Sequence, residues 1–354
     1  MTTPNPQQQL QEEINQLQSA VSSLRPKVSM TDIVNAVSNL DNQVSGLPAR
    51  LTDLRSRGYA FEKTLETAAS DLAGRWNSQR SDIQMQLNSL ISQLRGAMAP
   101  IDTEMGRLME AVSNASLAQS IIAPLRNQIN SLENRANAAQ NTIDAMIEAV
   151  KADADKLTGH LDQVDAMLKQ LAEATFQLLP SESGVMAVKA VWAREGKETK
   201  EDPEGILFLT DQRLVFEQKQ EVATKKVMFV VTEKKLVQEK LFENALAQIE
   251  EVKPSKQGIF KNEDVLDLKL SSGSFASSAK LHIWQDCNEW QELINRVKSG
   301  EFTQNRAVPL DQAAVEKAKA APTQCPSCGG VFTKPVLRGQ DSITCEFCGA
   351  VIKL

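Results

Sequence analysis

The sequence predicts a multi-domain chain: a long α-helical coiled coil, a small antiparallel β barrel or sandwich with a C-terminal capping helix, and a β hairpin built on four cysteines. Three observations predict it. Apolar residues recur by alternate threes and fours up to residue 178, the period falls to two beyond Gly184, and two Cys-x-x-Cys pairs stand sixteen residues apart near the end. The boundaries read as a disordered 1–6, a helical 7–179, a β module at 182–300, a linker at 301–323 and the cysteine hairpin at 324–354.

The helical part carries its apolar residues as a narrow seam. Leu10, Ile14, Leu17, Val21, Leu24 and Val28 make the first run, and Ile33, Val37, Leu40, Val44, Leu47, Leu51 and Leu54 the second. Ile83, Leu87, Leu90 and Leu94 follow, and the spacing continues through Ile143, Val150, Val164, Leu168 and Leu171. This is the a/d stripe by which helices pack on helices, and the remaining faces are polar. Pro26, Pro48, Pro100 and Pro124 are expected to end or kink helices. The predicted pieces are two short N-terminal helices, then 49–98, 101–122 and 125–178. A 50-residue helix is about 75 Å long, which suits an antiparallel hairpin or an elongated oligomer.

Aromatic residues are scarce and uneven. Up to Pro180 only Tyr59, Phe61, Trp76 and Phe176 occur, so the thick core belongs to the second half. There, strands are predicted at 185–193, 205–210, 213–218, 226–231, 265–270 and 279–284, parted by turn residues such as Ser271-Ser-Gly-Ser274. Asp286 is a good N-cap for a helix whose Trp290, Leu293, Ile294 and Val297 form one apolar stripe.

The segment Gly205-Ile-Leu-Phe-Leu-Thr-Asp-Gln-Arg-Leu-Val-Phe216 resembles the strand–turn–strand signature of GRAM domains, within the pleckstrin-homology-like (PH-like) superfold. Leu246-Ala-Gln-Ile-Glu-Glu-Val252 resembles the strand that follows in that family, and the closing helix sits where the family has one. The resemblance covers about a third of the chain and implies binding to phosphoinositides or proteins. The loop at 194–202, where lipid-binding members gather bases, holds three bases against four acids, so protein docking is the better carry-over. Lys225 with Lys226, and Lys234 with Lys235, are the local basic clusters.

Cys325, Cys328, Cys345 and Cys348 have the C-x₂-C-x₁₆-C-x₂-C spacing of a four-cysteine zinc site. Two intervening residues let one tight turn aim both thiolates at one ion, and a following glycine lets the backbone fold back. Residues 331–337 and 342–344 are expected to pair across 338–341, with Val351 and Ile352 as a last strand. The whole looks like a zinc ribbon. Sulfur ligation also suits iron, but zinc is favoured, and a closed four-thiolate site is structural. No other cofactor and no small-molecule substrate is predicted.

Bulk charge bears on partners. The formal net charge is −6; residues 1–180 carry 15 basic and 20 acidic side chains, 181–303 carry 18 and 21, and 304–354 carry 6 and 4. A surface gripping nucleic acid throughout is not expected. The first residues lack a secretory pattern, no apolar run approaches the roughly 20 residues of a membrane span, and the paired cysteines suit a reducing compartment. The expected localisation is cytoplasmic. His160, His282 and Cys287 make no catalytic set with neighbours in sequence, and no phosphate loop or nucleophile elbow occurs, so no enzyme is expected. The leading reading is an intracellular scaffold or adaptor, oligomerising or spacing through its helices and docking protein partners through the other two modules. A peripheral protein on anionic lipid is the alternative, and a nucleic-acid-associated factor using the ribbon the second.

Overall fold

The computed structural model describes residues 6–227, 230–258 and 262–354, with backbone alone over 222–234. The expectation for residues 1–5 lies outside the described residues, as do the side chains of Lys225, Lys226 and Lys234; Pro6 already belongs to a helix. The chain forms two compact units, one of residues up to Pro48 with Ala68–Thr158, the other of Ala49–Thr67 with Gly159–Leu354.

Four long helices come first: α1 (Pro6–Val28), α2 (Thr31–Ser56), α3 (Leu65–Glu110) and α4 (Ala115–Glu173). Within the first unit the apolar seam is filled by the chain's own helices. Leu10, Ile14, Leu17, Val21, Leu24 and Val28 of α1 are all buried. Arg25 pairs with Asp102 of α3 at 2.8 Å, and Lys27 with Glu133 of α4 at 2.5 Å. Trp76 of α3, 1% exposed, donates its indole N–H to Asp41 of α2 at 2.8 Å. Arg75 reaches Asp153 of α4 at 2.5 Å. The exposed ion pairs contribute little. Burial of one narrow stripe per helix is what holds this unit.

The breaks do not fall at the prolines. Pro26, Pro48, Pro100 and Pro124 all lie inside helices, and all four are exposed. Each removes one backbone hydrogen bond, but its ring stands on the side of the helix away from the buried seam. The seam therefore packs undisturbed on the other face. The chain turns instead at Met30 (φ 46°), at Gly58 and Glu62 (φ 104° and 57°) and at Asn114. Pro100→Ala in α3 should therefore stabilise the helical unit by about 2 kcal/mol. A higher urea midpoint by far-UV circular dichroism is the expected result; a lower one would show that the proline is needed for packing.

Seven antiparallel strands follow: β1 (Gly184–Trp192), β2 (Glu204–Thr210), β3 (Arg213–Val227), β4 (Val230–Ala245), β5 (Ile249–Gln257), β6 (Glu263–Leu270) and β7 (Ser278–Ile283). They form one sheet in the order β4-β3-β2-β1-β7-β6-β5. Its edges β4 and β5 pair with nothing further among the described residues, so the expected closed barrel is not formed. Helix α5 (Cys287–Lys298) packs on β5 and β6, with Cys287, Trp290, Ile294 and Val297 buried. Asp286 caps it, accepting from the amides of Asn288 and Glu289 at 2.8 and 3.3 Å.

The strand segments the sequence did not predict include most of β4 and the part of β5 beyond Val252, and these form the edges. An edge strand is bonded on one side only, so it tolerates Glu, Lys and proline, and its alternation is erased. β4 runs through Glu-Lys-Lys-Leu-Val-Gln-Glu-Lys, and β5 contains Pro254. At Gly205 the backbones of β2 and β3 approach closely beside a bulge at Phe216/Glu217. A Cβ there would lie 1.9 Å from the Glu217 carbonyl oxygen.

The expected linker at 301–323 is not a free tether. It holds α6 (Glu301–Gln304) and α7 (Gln312–Lys319), and Phe302 is buried. The α2–α3 loop lies on it: the amide of Lys63 donates to Asn305, and those of Ala307 and Val308 to Ala60. Phe61, wholly buried, meets Phe302 edge-on at 5.4 Å and carries the Arg306 guanidinium 4.8 Å above its ring. Last come two three-residue strands, β8 (Ser342–Thr344) and β9 (Val351–Lys353), paired antiparallel.

Candidate metal centre

Each cysteine pair sits in a tight turn with the same wiring. The Cys325 amide donates to Gly330 O and the Gly329 amide to Cys325 O, both at 2.8 Å. In the second turn Cys345 donates to Ala350 O at 2.8 Å and Gly349 to Cys345 O at 2.9 Å. Gly329 and Gly349 have φ of 72° and 74°, the left-handed conformation that reverses the chain behind the second thiol. The spacing predicted this folding back, and it occurs twice.

The two turns bring all four sulfur atoms within 4.8 Å of one another. Cys325 Sγ lies 3.7 Å from Cys348 Sγ, and Cys328 Sγ lies 3.6 Å from Cys345 Sγ. A tetrahedron with metal–sulfur bonds of about 2.3 Å has edges of about 3.8 Å, so the cluster fits one ion of that size. Cys325 and Cys345 are buried, Cys328 and Cys348 exposed. Burial opposes ionisation of Cys325. The amides of Ser327 and Cys328, with the thiols of Cys345 and Cys348, outweigh it and bring Cys325 down to about 6. At Cys328 the Gly330 amide favours the thiolate, but Cys348, burial and Cys345 push it up to about 12.

The hairpin expected between 331–337 and 342–344 is not formed, and β8 pairs with β9 instead. Several amides of the first segment are absent or used elsewhere. Phe332 donates to Thr323 O, Pro335 has no N–H, and Leu337 donates to the Gln340 side chain at 2.9 Å. Arg338 donates to Leu178 O at 2.8 Å. Its guanidinium also donates to Glu182 O.

That last contact leads to a buried ion network which the sequence reading did not assign. Glu182, wholly buried, takes the Arg213 guanidinium in a fork at 2.8 and 2.9 Å, the Thr210 hydroxyl at 2.6 Å and the Leu179 amide at 2.7 Å. Beside it Asp211 pairs with Arg306 at 2.8 Å and accepts the Ser183 amide at 2.8 Å; burial raises its pKa. The signal lies in Thr210-Asp-Gln-Arg213, whose charges read as an ordinary turn.

His160 of α4 bonds Glu62 through Nε2 at 2.6 Å, and Tyr59 donates to the same carboxylate. Burial opposes ionisation of Glu62, but His160 and Tyr59 outweigh it, so its pKa lies below the usual 4.5. A depressed carboxylate contributes stability that is present above 4.5 and lost as pH falls through the folded value. The advantage of the wild type over Glu62→Gln, from urea midpoints across roughly pH 3 to 7, should shrink below that point. An advantage that grew in acid would contradict the assignment.

His282 stacks on Trp284 and bonds Glu198 at 2.7 Å. Cys287 is buried, and burial with Asp264 raises its thiol. Asp264, Asp286 and Cys287 also cluster, but Lys256 Nζ lies 2.5 and 2.9 Å from the two carboxylates and supplies the cation itself.

No family model matches this chain, and no curated protein matches its sequence. Among solved structures, the DH/PH domains of p115-RhoGEF align over 84% of this chain and 95% of that one, at 14% identity and a TM-score of 0.21. An arginine-to-glutamate mutant of the same domains aligns over 84% and 98%, at 11% identity and 0.20. Overlaps that shallow carry no argument about this chain.

Proposed function

We propose that this chain is a non-catalytic scaffold or adaptor, with Cys325, Cys328, Cys345 and Cys348 holding a structural zinc ion and the β module of PH-like type. The four-cysteine cluster carries this reading. Thiolate ligands and edges of 3.6–3.7 Å suit zinc. Four sulfurs leave no position for water or substrate, so the ion would supply folding energy rather than chemistry. Around it Val331, Phe347 and Val351 are 54%, 72% and 66% exposed. Large apolar side chains held out on a small, rigid element suit a protein partner.

The sheet order and the helix after β7 support the PH-like reading, and two acids of the β1–β2 loop are engaged within the module: Asp202 accepts the Arg194 and Thr199 amides, and Glu198 bonds His282. Because the helical seam is filled within one chain, the helices serve as a spacer more readily than as an oligomerisation surface. None of the described helices is long and apolar enough to cross a membrane.

The test is crosslinking in the native cell, with the wild type and Phe347→Ser compared by mass spectrometry. The reading predicts a defined protein set that is lost with Phe347→Ser while zinc content is unchanged. An identical set from both would remove the ribbon from the docking role, and no crosslinked protein at all would sink the scaffold reading.

A further inference from the structure

We propose that metal loading of the four-cysteine cluster latches the connector between α4 and β1, residues 174–183, onto the β module through Arg338. The inference rests on the zinc reading and goes beyond it, because it gives the ion an effect outside the ribbon.

The connector has no strand or helix to hold its later half. Its order comes from individual bonds: Glu182 N–H to Leu179 O, Leu179 N–H to the Glu182 carboxylate and Ser183 N–H to Asp211. On one side Arg213 donates to Gln177 O at 2.7 Å, and Arg306 to Ser181 O at 3.3 Å. On the other side stands Arg338, whose main-chain and side-chain donors both go to connector carbonyls, Leu178 O and Glu182 O. A buried carbonyl left without a donor is costly, so Arg338 completes the bonding of this stretch.

The position of Arg338 depends in turn on the cysteines. It sits in the loop between the two ligand pairs, and the segment before it makes no ladder with β8. The loop is fixed by its own Gln340 bonds, the Leu354 amide on Asp341 O, the Phe332 amide on Thr323 O, the Lys317 ammonium on the Asp341 carboxylate at 2.6 Å, and the knuckles at either end. The ion ties those knuckles together. Without it the sixteen residues between Cys328 and Cys345 become an open loop, and holding Arg338 against the connector costs the entropy of closing that loop. Metal at the cysteines and order at 174–183 are then linked, each favouring the other.

Hydrogen exchange by mass spectrometry on the full chain tests this, with zinc counted by elemental analysis in every sample. Removing zinc with a chelator should speed exchange at 178–183 about tenfold, or about 1.4 kcal/mol. Arg338→Ala should retain one zinc per chain and show faster exchange at 178–183 while zinc is bound, with little further change on chelation. Arg338→Lys, which keeps a donor, should lie between. Unchanged exchange at 178–183 after zinc is shown to have left would overturn the latch and leave the zinc reading standing, as would wild-type protection in Arg338→Ala. A chain that takes up no zinc would overturn both.

Discussion

Glu182→Ala should destabilise the β module by about 3 kcal/mol, because it leaves the buried Arg213 guanidinium with only the partly exposed Glu243 carboxylate as counter-charge. Arg213 is 10% exposed at its side chain, and Glu182 is not exposed at all. The lost carboxylate also takes partners from the Thr210 hydroxyl and the Leu179 amide. Removing both charges together, as Glu182→Leu with Arg213→Met, should cost clearly less than the single change, since neither charge is then stranded. Denaturant unfolding followed by tryptophan fluorescence reads this, because Trp192, Trp284 and Trp290 all lie in the module. A double variant as damaged as the sum of its singles would show that packing, not the buried pair, sets the cost.

Cys345→Ser should abolish metal binding and unfold residues 325–354. The ribbon has two three-residue strands, and among its cysteine turns the buried side chains are Cys325 and Cys345 themselves. So small a core cannot offset chain entropy, and the ion, worth about 10–16 kcal/mol in comparable small zinc domains, is its main source of folding energy. Hydrogen exchange should show 325–354 unprotected in the variant, with the seam of α1 to α4 up to residue 158 unaffected. Full protection of 325–354 without metal would contradict the structural role.

Much of this was legible in the sequence, and the rest was hidden for identifiable reasons. The cysteine cluster could be read because metal geometry permits few spacings. The helical seam could be read because burial enforces the period, and α5 because Asp286 and the Trp290–Val297 stripe agree. The helix ends were misplaced because a proline rule outweighed the seam, whereas a proline on the side away from the seam leaves its packing undisturbed. Most of β4 and the end of β5 were missed because edges need no alternation. The ribbon hairpin was misdrawn because the Arg338 amide is taken by Leu178, more than 150 residues earlier. Phe61 stood only among the scarce aromatics of the first half, with nothing local to show that it packs on Phe302 and Arg306. Long-range contacts of that kind leave no local period.

The scaffold reading and its lipid-binding rival part most cleanly in co-sedimentation of the zinc-loaded full-length chain with anionic and with neutral vesicles at physiological salt. The account predicts that the protein stays in the supernatant with both. Pelleting with the anionic vesicles alone would contradict it and make a lipid surface the partner.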